Sequence, residues 1–158
     1  MTRGKAEVGD AVEVAGRLGP GDLALVDPPY SAVQYSRFYH VLETIARRER
    51  VSVEGVGRYP PLDDRPSSAF SLITGSTNAL ASLLENLASA GARVLLTFPA
   101  GGSSNGLSGA HIVEVARRWF DVEVKTVLGR FSTLGGNNAV RASRTHATEL
   151  ILTMAPLA

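Results

Sequence analysis

A short apolar run, Leu23-Ala24-Leu25-Val26, is set between Gly19-Pro20-Gly21 and Asp27-Pro28. The glycines and proline ahead of it signal a turn, and the proline behind it interrupts any ladder of backbone hydrogen bonds. An unbroken apolar run of this length, bounded by turn signals, reads as a buried parallel strand. A buried parallel strand demands layers on its faces, and the chain that follows supplies them.

Residues 38–48 place Phe38, Val41, Leu42, Ile45 and Ala46 along one helical stripe. Residues 50–77 hold Gly55, Gly57, Pro60, Pro61 and Pro66 among polar neighbours and read as a long loop, of the kind that is usually functional. Asn78 caps a helix over 78–90, with Leu80, Leu83, Leu84 and Leu87 on one face and Gly91 closing it. Residues 93–98 form the next buried strand. Ser108 caps a helix over 108–119 that turns Ile112, Val113, Val115 and Ala116 inward. Residues 122–127 alternate as a strand and 149–154 are the last one. Strands alternating with helices predict an α/β fold, a mostly parallel Rossmann-like sheet with helices on both faces. The final two strands have no helix between them and are expected to pair antiparallel. Residues 6–15 read as the end of an edge strand followed by a short helix. The layout starts abruptly, as if one side of the sheet were missing.

The 158 residues suit a single domain spanning 1–158, with 50–77 as a long loop inserted within it. No apolar run reaches the roughly 18 residues of a membrane span, and the amino terminus leads into no apolar signal core, so a cytoplasmic address is expected. The absence of cysteine excludes disulfides and thiolate metal sites. His40 and Glu43 lie three apart on a helix without an identifiable third ligand, so no metal is expected. The net charge of +1 is unevenly spread. From 125 to 147 the chain carries Lys125, Arg130, Arg141, Arg144 and His146 and no acid, a stretch suited to phosphates or to a solvated polar loop.

Asp27-Pro28-Pro29-Tyr30 follows the first buried strand, at the strand end where open α/β sheets bind ligands. By chance a chain of this length would hold on the order of 0.001 copies of the tetrapeptide. A rigid turn explains the prolines, but not the carboxylate before them or the aromatic ring after them. Amino methylation explains all four. A nucleobase amino group is a poor nucleophile because its lone pair is delocalised into the ring. Acceptors that hold both amino hydrogens free that lone pair and stabilise the charge that develops on nitrogen. The Asp27 carboxylate and the Pro28 carbonyl are such acceptors. Proline fixes φ and holds its predecessor extended, so both are positioned beforehand. Tyr30 offers a stacking face, worth about 1–3 kcal/mol per base.

This tetrapeptide, followed by Gln34-Tyr35-Ser36-Arg37-Phe38-Tyr39-His40 and Leu42-Glu43, resembles the DNA adenine methylase family, the Dam-type N6-adenine methyltransferases. The similarity continues in Ser132-Thr133-Leu134-Gly135-Gly136-Asn137 and in Glu149-Leu150-Ile151. The resemblance implies S-adenosylmethionine as cofactor and DNA as substrate, with the target base flipped into the motif pocket. It implies catalytic roles for Asp27, Pro28, Pro29 and Tyr30, with Asp27 and Asp10 on the cofactor. Asp10 is equally read as a helix cap. DNA contacts are expected from Tyr35, Arg37, Arg58, Arg65, Arg130, Arg141 and Arg144. The tetrapeptide alone leaves cytosine N4 open beside adenine N6. The family's glycine-rich cofactor turn has no counterpart here. The glycines of 101–106 do follow a strand, but Leu107-Ser108 stands where a phosphate-binding loop needs lysine. A second reading is therefore a non-catalytic remnant, or a subunit of a split enzyme whose partner chain supplies the cofactor half.

Overall fold

The computed structural model describes residues 4–48, 52–131 and 145–157. Four helices and four strands follow in the order α1 (Ala11–Ala15), β1 (Leu23–Val26), α2 (Ser36–Arg47), α3 (Ser76–Ser89), β2 (Arg93–Pro99), α4 (Gly109–Ala116), β3 (Phe120–Phe131) and β4 (Thr145–Pro156). The strands form one mixed sheet in the order β1-β2-β4-β3. β1 runs parallel to β2, with Val26 beside Leu96. β4 is antiparallel to both neighbours, setting Leu152 beside Leu96 on one side and Val124 on the other. The fold is α/β, part of a Rossmann-like sheet, and the final two strands pair antiparallel as expected. The antiparallel share is larger than the sequence implied, because β4 inserts between β2 and β3 instead of adding at the edge.

Local chemistry sets most boundaries. The Asp10 carboxylate accepts from the amides of Val12 (2.8 Å) and Glu13 (3.4 Å) and so caps α1. Ser108 Oγ accepts from His111 N at 3.2 Å and caps α4. α3 begins at Ser76, two residues before the expected cap at Asn78. The reason lies upstream: a 3₁₀ turn over Ala69–Ser71 runs on into the helix through Ser76 N donating to Leu72 O at 2.8 Å. After α3, Gly91 adopts φ +72°, and a Cβ there would press on the Pro20 ring at 3.1 Å. That close approach locks the end of α3 against the turn that launches β1.

The core lies on one face of the sheet. Val94, Leu96 and Phe98 of β2 and Leu152 and Met154 of β4 are buried with Leu80, Leu83, Leu84 and Leu87 of α3 and Ile112 and Val115 of α4. α1 joins this layer through Ala15 and through Asn86 Nδ2, which donates to Val12 O at 2.9 Å. The expectation of helices on both faces is not met among the described residues. On the other face Leu23 and Leu25 of β1 remain 66% and 71% exposed. α2 forms where its stripe predicted, but Val41, Leu42 and Ile45 stay exposed and none of them joins the core. Periodicity records which face of an element is built for burial, not whether a partner lies against it. Residues 6–10 likewise form no strand, and α1 alone precedes β1.

Candidate active site

β1 delivers Asp27 to its carboxyl end, and the parallel register with β2 sets Thr97 beside it. Thr97 Oγ1 donates to Asp27 Oδ1 at 2.9 Å, which fixes one carboxylate oxygen. Pro28 is buried and Tyr30 is 45% exposed, so the rigid part of the motif is anchored while its ring meets solvent. The Pro29 carbonyl accepts from Asn105 Nδ2 at 2.7 Å, and Ala32 N donates to Ser104 Oγ at 3.0 Å. Among the described residues no donor engages the Pro28 carbonyl. Further along, Gln34 and Ser68 exchange two hydrogen bonds, Ser68 N to Gln34 Oε1 at 2.7 Å and Gln34 Nε2 to Ser68 O at 3.2 Å. The loop after the motif is thereby tied to the segment that precedes α3.

A cleft of about 520 Å³ opens at this point, lined by Asp10, Val26, Asp27, Pro28, Phe70 and Leu83 among others. It brings together the two carboxylates singled out by sequence, although Asp10 also serves as the α1 cap. Beside Asp27 lies a group of tyrosines. Tyr35 stacks on Tyr39 with ring centroids 5.6 Å apart and planes 10° from parallel. The Tyr35 phenol is pushed up to about 12, first by burial, then by Tyr30 with its hydrogen bond, by Tyr39 and by Asp27. A phenol so placed stays protonated and keeps a hydrogen to donate.

The predicted DNA contacts divide. Tyr35 belongs to the tyrosine group at the motif. The Arg37 guanidinium sits 4.7 Å from the Tyr59 ring centroid and that of Arg65 5.7 Å from it, with His40 edge-on to the same ring at 5.6 Å. Arg65 Nε also donates to Pro60 O at 2.6 Å. Arg58 is exposed in the turn closed by the Glu54–Tyr59 pairing, with φ +50°. Arg37, Arg58 and Arg65 thus gather around the loop tip that Tyr59 pins to α2. Arg130 pairs through its backbone with His146. Arg141, Arg144 and the 132–137 segment lie outside the described residues. Among the described residues no three His, Asp or Glu side chains are gathered as metal ligands would be.

Sequence reasoning missed Thr97, Ser104, Asn105 and the Gln34–Ser68 pair. A faint signal existed for Thr97, a polar residue inside an otherwise apolar buried strand. Asn105 carries no local signal, because it is one polar residue among the glycines and serines of 101–108.

No family model matches the chain, and no solved structure matches it. Among curated proteins, the modification methylase LlaI of Lactococcus lactis subsp. lactis is 54% identical over 35 residues, which cover 22% of this chain and 6% of that protein. The match spans a small part of that methylase, and over that segment the chain is similar to a methyltransferase.

Proposed function

We propose that this chain carries the target-base half of an S-adenosylmethionine-dependent DNA methyltransferase acting on the N6 amino group of adenine. The observation that carries the reading is the Asp27 carboxylate, held by Thr97 at 2.9 Å on the rim of a cleft, beside a half-exposed Tyr30. The short match to a modification methylase supports the coarser part of it, methyl transfer to DNA.

The chemistry follows from the side chains. A flipped base stacks on Tyr30, and its amino group meets two acceptors. Asp27 takes one amino hydrogen and the Pro28 carbonyl, which no donor among the described residues engages, takes the second. Both favour the positive charge that develops on nitrogen. Thr97 spends its hydroxyl on one Asp27 oxygen, so the other faces the base and can receive the departing proton. The cleft fits the cofactor's adenosine end in size and character, with apolar walls from Val26, Phe70 and Leu83 and carboxylates at Asp10 and Asp27. S-adenosylmethionine, when bound, supplies an activated methyl group. Arg37, Arg58 and Arg65 around Tyr59 supply positive charge for the DNA backbone.

One observation favours the second reading, that the chain works only with a partner supplying the cofactor's methionine end. The free edge of the sheet at β1 and the stripe of α2 leave Leu23, Leu25 and Ile45 exposed. On this reading the chain alone binds S-adenosylmethionine weakly, transfers no methyl and associates through that edge. The test measures cofactor affinity, solution mass and methyl transfer to duplex DNA, for the chain alone and in whatever assembly it occupies in its host, with mass spectrometry of the nucleosides. N6-methyladenine from the assembly supports the main reading, and N4-methylcytosine or no product from an assembly that holds cofactor overturns it. A monomer with micromolar affinity and steady turnover sinks the partner reading.

A further inference from the structure

We infer that Asn105 is a positioning residue for the motif loop, and that the glycine-rich segment 101–108 is a clamp on Asp27-Pro28-Pro29-Tyr30 instead of a ligand loop. The catalytic half of this inference rests on the methyl-transfer reading; the clamp itself does not. Asn105 is fully buried, at 0% exposure, and both ends of its side-chain amide and its backbone carbonyl are engaged. Its amide donates to Pro29 O at 2.7 Å and to Phe70 O at 2.8 Å. Its Oδ1 accepts from Leu107 N at 3.3 Å, and its backbone carbonyl accepts from Ser76 Oγ at 2.8 Å. One side chain thus joins the motif to the wall of the cleft, since Phe70 lines it, and its backbone is held at the start of α3.

The motif needs such an anchor because of its own composition. Pro28 and Pro29 have no N–H, so two successive residues cannot donate to the framework, and their carbonyls are the handles that remain. If Pro28 O is reserved for substrate, Pro29 O is the handle nearest to it. Asn105 holds that atom, and Ser104 Oγ holds Ala32 N on the far side of Tyr30. The two contacts bracket the stacking ring. The glycines serve this geometry. Gly106, at φ +90°, turns the chain back so that Leu107 is buried immediately after Asn105, and Gly102 pairs with Ser108 to close the base of the loop. The amide of Ser103 is spent on Leu107 O at 2.8 Å and that of Gly106 on Ser103 O at 3.0 Å, which are donors a phosphate loop would leave free.

The experiment compares the whole chain with Asn105→Ala by ¹⁵N relaxation. Amides 30–33 are expected to fall from rigid values, about 0.85, to below about 0.6, while those of β2 and β4 remain near 0.85. Motif amides that stay rigid, or sheet amides that loosen with them, overturn the inference. If Asn105→Ala does not fold, Ser104→Ala, which removes an exposed contact, decides the same question at Ala32 and Val33. In the active assembly the turnover of Asn105→Ala is expected to drop at least about tenfold with an unchanged KM for cofactor; a rise in KM without loss of kcat overturns the catalytic half. Absence of methyl transfer by the parent in an assembly that holds cofactor would instead count against the proposed function, and the relaxation result would stand apart from it.

Discussion

β2 presents Val94, Leu96 and Phe98 to one side of the sheet and Leu95 and Thr97 to the other, and the two sides have different fates. The first set is fully buried under α3 and α4. The second continues across the parallel register into Leu25, which is exposed, and Asp27, which holds the site. The same strands therefore carry a finished core on one face and open apolar surface on the other, with the Asp27 carboxylate at the rim of the open side. The stability of this chain is concentrated where three helices cover the sheet. The proposed site lies where cover is thin among the described residues. Uncovered leucines on a free strand edge are an interaction surface by default, since unpaired edge groups seek partners.

That contrast can be broken by two leucine substitutions, one on each face. Leu84→Ala on the covered side is expected to cost about 2–5 kcal/mol of unfolding free energy, from lost burial plus the cavity left behind. Leu25→Ser on the open side is expected to stay within about 0.5 kcal/mol, and to raise solubility. Urea denaturation of the two variants checks both. A Leu25→Ser cost comparable to that of Leu84→Ala would mean that the open face is covered in solution.

Asp27→Ala sharpens the comparison from the functional side. It should lower methyl transfer by roughly 2.7–4 kcal/mol, the loss expected for one preorganised charge-stabilising group, about 100- to 1,000-fold in rate. Its unfolding midpoint should remain near the parent value, because Asp27 is exposed and no core residue depends on it. Single-turnover assays on the active assembly decide this, and near-native turnover would remove Asp27 from the reaction.

What the sequence made legible was local. The strand Leu23–Val26, the α4 cap at Ser108 and the α2 stripe depend on residues within a turn or two of one another, and all formed where expected. The Asp10 cap was one of two readings, and it formed as well. The rest depends on which distant segments meet. Thr97 reaches Asp27 across 70 positions and Asn105 reaches Pro29 across 76, and neither pairing leaves a trace in periodicity. The insertion of β4 between β2 and β3 is hidden for the same reason, because both antiparallel ladders satisfy the same alternation. The proposed motif is visible in the sequence because it is four consecutive residues, while the distant residues that hold it are not.

The basic residues extend the comparison to binding. On the proposal that Arg130, Arg141 and Arg144 contact phosphates, replacing any one of them should weaken DNA binding about equally across sequences and lower the salt slope by about one. Arg65→Gln should do the same, with an added loosening of the Tyr59 contact, because Arg65 also holds Pro60 O. Titrations at several salt concentrations measure the slope, and a variant with the parent slope makes no phosphate contact at that residue.

The smallest effect concerns Tyr35, whose environment belongs to neither face alone. Burial, with Tyr30, Tyr39 and Asp27 nearby, raises its phenol from 10.0 to about 12. In the unfolded chain the phenol ionises near 10, whereas in the folded chain it stays protonated to about 12. Between these values the folded state binds the extra proton, so its stability falls as pH rises. The contribution is complete below pH 10 and is lost by about pH 12. The ring is partly exposed, so solvent screens the effect and keeps it small beside the loss at Leu84. The informative quantity is the difference between the parent and Tyr35→Phe. Tyr35→Phe keeps the stack on Tyr39 and removes the ionisable group. Its unfolding free energy should decline less steeply than the parent's from pH 10 to 12, while the two curves run parallel below pH 9.5 or thereabouts. Parallel curves across the whole range would show that the Tyr35 phenol is solvated in solution, and that the tyrosine group at the motif is as open as the sheet face beside it.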